Sequence, residues 1–308
     1  MSDVKYYVFF DFEMLCSNRG MLQEEMEAIR LGAVKYELAT EKVTSFDAYI
    51  RPLQQKKLTP FCKQLTGIQD SDLVGAQTFD QVFSNFLTWV GGVKKTRFFS
   101  WSKSDLQRLK LDSQLHDISI RTVEKIENRY VDFQAILTKR VTKENLSVQN
   151  ALELYDMTFV GEQHNPMYDA FNTLRIYLNF LNYPIKSDLL MIDRYILQGQ
   201  LKRNKSINEQ VKQLMKLDLE SLLVELHDMY RLRNAQKLLK KVKRLVKKYE
   251  NISINRSGIF NDDLIESVSL LKVFYDELRS TYNYHFKHAA KIMIIDEHLV
   301  SPIKQLAV

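Results

Sequence analysis

The chain is poor in cysteine, which limits what can hold its fold together. Cys16 and Cys62 are the only two in 308 residues. Two thiols cannot supply a disulfide framework or the four ligands of a structural zinc site. A reducing compartment suits both thiols, and we expect them to be packing residues.

Long apolar runs are also missing. No run approaches the roughly 20 residues that a membrane helix needs. The N-terminus carries acids and tyrosines where a signal peptide has a basic start and an apolar stretch. With 45% hydrophobic and 27% charged residues, the composition is that of an ordinary soluble globular protein. We therefore expect a cytoplasmic protein without membrane contact.

Positive charge is in excess and unevenly distributed. The net charge is +6. Residues 1–182 contain 22 Lys or Arg and 23 Asp or Glu, whereas residues 183–308 contain 22 Lys or Arg and 15 Asp or Glu. An excess of this sign favours a polyanionic partner. The break "NYPIKSD" at 182–188 coincides with the change in charge. It predicts a boundary near Pro184 between domains at 1–182 and 183–308.

The first apolar stretch, "YYVFFDFEMLCS" at 6–17, contains two acids. Side chains alternate across a strand, so Asp11 and Glu13 share one face while Phe10 and Phe12 take the other. Neighbouring carboxylates repel each other, so a cation must lie between them or one must keep its proton. The alternative is a strand end that runs into solvent.

The first half alternates between strand and helix patterns. Four strand candidates are "VKYYVFF", "AIRLGAVKYEL", "VTSFDAYIRP" and "TRFFSW", and a short fifth lies near Tyr130. "TFDQVFSNFLTWV" and "SDLQRLKLDSQL" have helical periodicity, and further helices follow Asp132, Ser147 and Pro166. Three adjacent strands followed by alternating helices and strands predict an α/β domain with a mixed sheet.

Further acids fall where such a sheet places ligands. Asp105 follows "TRFFSW" and opens a helix, at the carboxyl end of a strand. It is also a good helix-capping residue. Pro166 suits a first helical turn, which leaves His164 on the preceding loop and Asp169 one turn inside the helix. Taken alone, His164 could be a loop histidine without a chemical role and Asp169 a solvated acid. Together the four acids and His164 favour a catalytic site.

The second half is helical and basic. Ser206 and Glu209 form a capping-box pattern, with a helical signal through Tyr249, and Asn261 to Ile295 is predicted as another long helical region. Between Arg231 and Lys248 lie nine basic residues and no acid. We expect these basic residues to form one face of a helix, and this face is a candidate for binding the phosphate backbone of RNA or DNA. A solvated surface, a partner's acidic groove and a membrane surface are the alternatives. The candidates for phosphate contact are Lys240, Lys241, Lys243, Arg244, Lys247 and Lys248.

Three stretches in the first half resemble a known family. "DFE" at 11–13, "WSKSDLQRL" at 101–109 and "HNPMYDA" at 164–170 are similar to the three motifs of the DEDDh 3′–5′ exonucleases, the superfamily of polymerase proofreading subunits and ribonuclease T. "RLGAVKYE", "LTPFCKQLTGIQDSDL" and "LSVQNALELYDMTFVGEQHNPMYDA" resemble the KapD and Eri-type branch, which includes RNA-trimming enzymes. The similarity covers roughly the first three-fifths of the chain.

The resemblance implies a ribonuclease H-like fold, whereas the helical patterns of residues 183–308 predict an appended all-α C-terminal domain. Hydrolysis of an anionic phosphodiester builds up more charge, which favours two divalent ions, Mg²⁺ or Mn²⁺. Asp11 would bridge both ions, and Glu13 and Asp169 would hold the ion that carries the attacking water. Asp105 would act mostly through the outer shell of the second ion, and His164 would be the general base. The motif departs from the family at Ser102 and Ser104, where relatives often carry Gly or Asn. Asp112 is the competitor for the role of Asp105.

The residues that would contact the last nucleotide follow from the same resemblance. They are Met14, Leu15, Leu65 and Thr66, each of which packing alone would also explain. The sequence thus predicts a metal-dependent 3′–5′ exonuclease for single-stranded ends, with RNA preferred over DNA on the resemblance alone. Its helical domain would bind nucleic acid or a protein partner. The alternatives are a DNA exonuclease of repair or proofreading, and a non-catalytic binding module on a nuclease fold.

Overall fold

A computed structural model describes residues 4–53, 57–202 and 204–307. Tertiary contacts divide the chain into two compact units. The first unit contains the described residues up to Lys139 together with Glu144–Asn182. The second contains Arg140–Lys143 and the described residues from Tyr183 onward.

The first unit is built on a five-stranded mixed sheet in the order β3-β2-β1-β4-β5. Strands β1, β2 and β3 are antiparallel neighbours, whereas β4 and β5 run parallel to β1. The predicted α/β fold with a mixed sheet is confirmed. The strands are β1 (Tyr6–Met14), β2 (Ala28–Glu37), β3 (Val43–Tyr49), β4 (Thr96–Ser100) and β5 (Tyr130–Asp132).

The sequence predicted the helices that begin at Phe79, Lys103, Phe133, Val148 and Pro166, but not those that begin at Pro60, Asp70 and Ile120. Helices flank the sheet of this unit. They are α1 (Pro60–Thr66), α2 (Asp70–Leu73), α3 (Phe79–Val90), α4 (Lys103–Leu115), α5 (Ile120–Glu127), α6 (Phe133–Leu137), α7 (Val148–Leu154) and α8 (Pro166–Asn182). Short 3₁₀ turns occur at Gln23–Glu25 and Val93–Lys95, and a π-helical turn at Thr138–Thr142.

The two faces of β1 pack against different helices. On one face Phe9 lies 5.4 Å, centroid to centroid, from Tyr177 of α8. On the other face Phe12 lies 6.2 Å from Phe79 of α3. Burying each phenylalanine stabilises the fold by roughly 1.5–3 kcal/mol, so this packing determines which side chains of β1 face α8 and which face α3. Because side chains alternate, Asp11 is on the α8 face, as predicted.

The second unit is predominantly helical. Its helices are α9 (Pro184–Met191), α10 (Ile207–Val224), α11 (Leu232–Tyr249), α12 (Asp262–Lys287) and α13 (Glu297–Ala307), with a π-helical turn at Ile192–Ile196 and a 3₁₀ turn at Ile252–Ile254. Their buried faces share one hydrophobic core. No helix in residues 4–53, 57–202 and 204–307 is both long and apolar enough to cross a membrane.

A short ribbon in this unit was not predicted. Strand β6 (Met229–Arg231) pairs antiparallel with β7 (Ile292–Ile294), so the helical signal is interrupted before α11 and α12 ends at Lys287. Strands of three residues are too short for a periodicity to reveal, and their pairing joins segments about 60 residues apart. The predicted capping box is also wrong, because Ser206 occupies the N-cap position of α10 without a side-chain capping bond.

Candidate active site

A pocket of about 510 Å³ lies in the first unit, at the carboxyl ends of β1 and β4. Asp11, Glu13, Asp105, Asp169 and His164 all line it. The structure therefore brings together the five residues that the sequence nominated. They come from strand β1, from the start of α4, from the loop before α8 and from the first turn of α8.

Three of the acids converge closely enough to share a cation. Asp11, Glu13 and Asp169 each offer a carboxylate oxygen, and these atoms all lie within 4.8 Å of one another. Oxygen ligands of this kind suit hard divalent cations such as Mg²⁺ and Mn²⁺. Asp11 and Glu13 share one strand face, and Asp169 reaches the same point from α8, so the set is assembled by the packing of α8 on β1 and β2.

The electrostatics of the pocket also favour a cation. Burial, followed by repulsion from Asp105, Asp169 and Glu13, raises the pKa of Asp11 well above its ordinary value. Burial and the same neighbouring acids raise the pKa of Glu13 to about 8. Burial also raises the pKa of Asp105 to about 7 and that of Asp169 to about 6. The guanidinium of Arg30 lowers the pKa of Glu13 but offsets these effects only in part, so a divalent cation would supply positive charge that the pocket still lacks.

Asp105 is anchored more firmly than the other three. The Phe12 backbone N–H donates to its Oδ1 at 3.2 Å, and the Ser100 hydroxyl and its own backbone N–H also bond to the carboxylate. Because protein donors already occupy these oxygens, Asp105 is less available for direct metal contact. It borders the pocket without belonging to the close group of three acids.

Asp112, the competitor for this role, lies elsewhere. It forms a buried ion pair with Arg108, Nε to Oδ1 at 3.1 Å, and accepts a hydrogen bond from the Ala28 backbone N–H at 2.9 Å. Arg108 in turn donates to the backbone carbonyls of Gln23 and Met26. Asp112 therefore ties α4 to the segment before β2, a packing role away from the pocket.

His164 stands at the rim of the pocket. It is exposed, with a φ of 60° in the left-handed region, on the turn before α8. Its backbone N–H donates to the Asp169 carboxylate, a contact that lowers the pKa of Asp169 against the larger effect of burial. The turn thus fixes the histidine backbone to one of the acids while its imidazole faces solvent at the mouth of the pocket.

Gly32 is a site residue that the sequence analysis missed. It pairs with Asp11 across the β1–β2 ladder. A Cβ at this position would lie 2.0 Å from the Met167 backbone nitrogen and 2.3 Å from the Pro166 carbonyl carbon. Only glycine lets the first turn of α8 approach the sheet so closely. The glycine in "RLGAVKYE" was the available signal, but it becomes interpretable only once α8 is seen to cross β2 there.

Of the four residues predicted to contact the last nucleotide of the substrate, only one lines the pocket. Met14 lines the pocket. Leu15, Leu65 and Thr66 are not among the residues that line it, and Leu15 and Thr66 are buried. The Thr66 hydroxyl donates to the Cys62 carbonyl at 2.8 Å, which is a helix-end contact. The hydroxyl and amide side chains that line the pocket and were not nominated are those of Ser102, Ser104, Ser147, Gln149, Asn150 and Gln163.

The basic helix α11 is amphipathic as predicted, but its cations fall into two sets. Lys241 pairs with Glu225 and Lys248 with Asp218, both at 2.7 Å. We call the remaining exposed set the outer basic stripe. It consists of Arg233, Lys237, Lys240, Lys243, Arg244 and Lys247. These residues lie opposite the buried side chains Ala235, Leu238, Val242, Val246 and Tyr249.

The family model for exonucleases of the RNase T type matches residues 8–177. The chain belongs to this exonuclease family. The match contains all three acidic motifs and ends before Tyr183, where the main part of the second unit begins. The resemblance to the DEDDh exonucleases is thereby confirmed at the level of the family.

Curated relatives agree with this membership. The 3′-5′ exonuclease crn-4 of Caenorhabditis elegans is 27% identical over 194 residues, which is 58% of this chain and 64% of the relative. ERI1 exoribonuclease 2 of Homo sapiens is 24% identical over 194 residues, 54% of this chain and 27% of the relative. The chain therefore spans less than two thirds of the length of either relative.

Solved structures share the fold. Cell-death related nuclease 4 (CRN-4) aligns with a TM-score of 0.52 at 25% identity, covering 58% of this chain and 64% of that chain. The nuclease domain of 3′hExo, described as a DEDDh family member bound to rAMP, aligns with a TM-score of 0.53 at 23% identity. That alignment covers 59% of this chain and 94% of the nuclease domain.

Proposed function

We propose that this protein is a metal-dependent 3′–5′ exonuclease that removes nucleoside 5′-monophosphates from single-stranded ends, RNA in preference to DNA. Residues 1–182 would be the catalytic domain and residues 183–308 an accessory nucleic-acid-binding domain. The observation that carries the proposal is the convergence of Asp11, Glu13 and Asp169, with Asp105 beside them, in one pocket. Family membership supports the activity, and the exoribonuclease relatives support the preference for RNA.

The pocket residues have distinct tasks in this scheme. Divalent cations would be held by the carboxylates of Asp11, Glu13 and Asp169. Asp105 would keep these acids in position, because its carboxylate accepts a hydrogen bond from the Phe12 backbone N–H of the same strand. When bound, the cations supply positive charge that offsets the charge built up as the phosphodiester is hydrolysed. The positions of the three acids thereby determine where the last phosphodiester of the strand must bind.

His164 serves as the general base. Its position at the mouth of the pocket lets the imidazole take a proton from a water that attacks the terminal phosphorus. The bond from phosphorus to the 3′ oxygen of the preceding nucleotide then breaks, and that oxygen leaves with a proton as the new 3′-hydroxyl. The nucleoside 5′-monophosphate is released.

The base role of His164 is tested apart from metal binding. His164→Asn should lower the rate by the ~10²–10⁴-fold typical of a lost general base. Cation affinity, measured by calorimetry, should stay within about twofold of the parent because the three acids are intact. A collapse of cation affinity would mean that His164 is a ligand or a structural residue.

Helix α11 would bind the phosphate backbone of the substrate strand. Its outer basic stripe presents cations at three- and four-residue intervals on an exposed face, a pattern that suits contact with a phosphate backbone. Solvated lysines on a helix surface are common, so the test of this role is whether removing the outer basic stripe changes the salt dependence of binding.

The activity is tested with matched 5′-labelled RNA and DNA oligomers incubated with Mg²⁺, Mn²⁺ or a chelator. We expect a ladder shortened from the 3′ end with either metal, none with chelator, and faster laddering of RNA. Faster laddering of DNA would favour a repair or proofreading exonuclease. An absence of laddering under every condition would leave a binding module on a nuclease fold.

A further inference from the structure

The C-terminal end of α12 carries an unusual group of exposed rings. Residues 279–291, "RSTYNYHFKHAAK", include three aromatic side chains, two histidines, three Lys or Arg and no acid. The buried stripe of α12 stops at Leu278. Beyond it, Tyr284 is 63% exposed and Phe286 is 62% exposed. Core packing therefore does not account for these two rings.

The rings are held in defined positions relative to one another. Tyr282 and Phe286 are stacked, with centroids 6.1 Å apart and planes inclined by 19°. Tyr284 and His288 lie 4.4 Å apart, centroid to centroid. The Nδ1 atom of His288 contacts the Tyr284 carbonyl at 2.8 Å, which fixes that imidazole. A ligand that stacks on these rings would lose little side-chain freedom on binding.

Exposed cations of the same unit lie near the end of this segment. The Leu232 backbone N–H donates to the Lys291 carbonyl at 3.1 Å, so the start of α11 meets the end of this segment. Arg231, which pairs with Ile292 across the ribbon, is exposed, as is Arg233. Glu297, an acid that follows on α13, is paired with Lys304 at 2.7 Å.

We propose that the aromatic rings around this end of α12, which we call the ring platform, bind the bases of single-stranded nucleic acid. The ring platform consists of Tyr282, Tyr284, His285, Phe286 and His288, with Arg231, Arg233 and Lys287 placed to meet phosphates. Aromatic faces next to cations suit an unpaired strand, because every base has a stacking face and every nucleotide a negative charge. The family match ends at residue 177, so this site lies outside the matched region, and the inference rests on the proposed role of residues 183–308 as a nucleic-acid-binding domain.

The charge pattern argues against other occupants. An acidic peptide would satisfy the cations but offers no regular supply of flat rings. A membrane surface selects a helix with one continuous apolar face. Here Tyr284 and Phe286 are two residues apart on α12 and so project in directions about 200° apart. Rings that project in different directions fit a flexible strand, because its bases can turn independently of one another.

The test compares strands with and without bases. A fluorescein-labelled 30-nucleotide oligouridylate and an abasic strand of equal length are titrated in chelator, so that no cleavage occurs, and anisotropy gives each Kd. Removal of an aromatic stacking partner typically costs ~1–3 kcal/mol per base. Tyr284→Ala/Phe286→Ala should therefore weaken binding of the oligouridylate at least ~5-fold. Binding of the abasic strand should stay within twofold of the parent.

Three controls make the result specific. Tyr183→Ala removes a tyrosine that is 61% exposed in the same unit and should change neither Kd. Tyr284→Phe/Phe286→Tyr keeps both rings and should restore binding of the oligouridylate. Circular dichroism confirms that the alanine variant is folded.

The proposal is overturned if the alanine variant binds the oligouridylate as the parent does, or if it loses affinity equally for both strands. Ring-dependent binding to phosphatidylglycerol vesicles with an unchanged oligouridylate Kd would also overturn it, in favour of a membrane surface. Turnover of a dinucleotide with Mg²⁺ by the same variant reports on the catalytic pocket alone. Failure of the ring platform and failure of the exonuclease proposal are therefore distinguishable.

Discussion

The two units of this chain handle charge in opposite ways. The first gathers four carboxylates around one pocket, where burial raises their pKa values. The second spreads cations over the outer face of α11, where water surrounds them. Charges of one sign are concentrated in both, but only the acids are held together against their mutual repulsion.

This difference decides how strongly each feature indicates a ligand. Taking like charges out of water and placing them a few ångströms apart is costly unless a counter-charge joins them. The acid cluster therefore has the charge and the geometry to bind a cation. Exposed lysines cost the fold little, because water and salt screen them. The outer basic stripe is compatible with a nucleic-acid grip and equally with a solvated face, and only an experiment separates the two.

The largest effect should follow from removing the acid at the centre of the cluster. Asp11→Ala takes away a carboxylate that lies beside Glu13, Asp105 and Asp169, so we expect cleavage to fall by at least ~10³-fold. Binding of an oligomer in chelator should be largely unchanged. Glu25→Ala, which removes an exposed acid of the same unit, is the matched control. Turnover within tenfold of the parent would rule out Asp11 as a metal ligand.

A smaller but still large effect should follow at Gly32. Gly32→Ala must push the start of α8 away from β2, which displaces Asp169 from Asp11. A displacement of about 1 Å can lower a rate ~10²-fold. Gly91→Ala is the control, since its φ of 78° strains the backbone but no atom lies within 4 Å of the new Cβ. If both variants lose stability alike and neither loses turnover per folded molecule, Gly32 does not position the site.

If the outer basic stripe contacts phosphates, its removal should reduce the salt dependence of nucleic-acid binding. Each phosphate contact on a single strand contributes ~0.7 to the slope of log K against log salt. If four cations touch phosphate, replacing Lys240, Lys243, Arg244 and Lys247 by Gln should flatten the slope by roughly 2 to 3 units. Lys241→Gln/Lys248→Gln removes cations already paired with Glu225 and Asp218 and should flatten it by less than ~1 unit. Equal slopes in all three proteins would mark the face as solvated surface.

The smallest effect is a pH dependence of stability without metal. An unfolded carboxyl titrates near ~4, whereas the folded pKa of Asp169 is about 6 and that of Glu13 about 8. The folded protein therefore binds more protons between these values, and its stability must fall as pH rises through them. In chelator, Glu13→Gln should raise the Tm at pH 8 by about 3 °C. A parent Tm that rises from pH 5.5 to 8.5 would contradict these shifts.

Much of the site could be predicted from the sequence because its signals are local. Alternation along β1 separates Asp11 from Phe12, and Pro166 marks the turn that carries His164. Gly32 and the β6–β7 ribbon could not be predicted in the same way. Each depends on segments that are far apart in the chain, Gly32 on α8 and Tyr230 on Met293. The pairing of Lys241 with Glu225 likewise appears only in three dimensions.

The most direct test of the central claim is to locate the cation. Crystals soaked in Mn²⁺ and a nucleoside 5′-monophosphate, with diffraction recorded at the manganese edge, would show where the metal binds. The account predicts anomalous peaks among the carboxylates of Asp11, Glu13 and Asp169, and their loss in Asp11→Ala. Peaks only at other positions, or none at saturating Mn²⁺, would contradict the assignment of this pocket as the metal site.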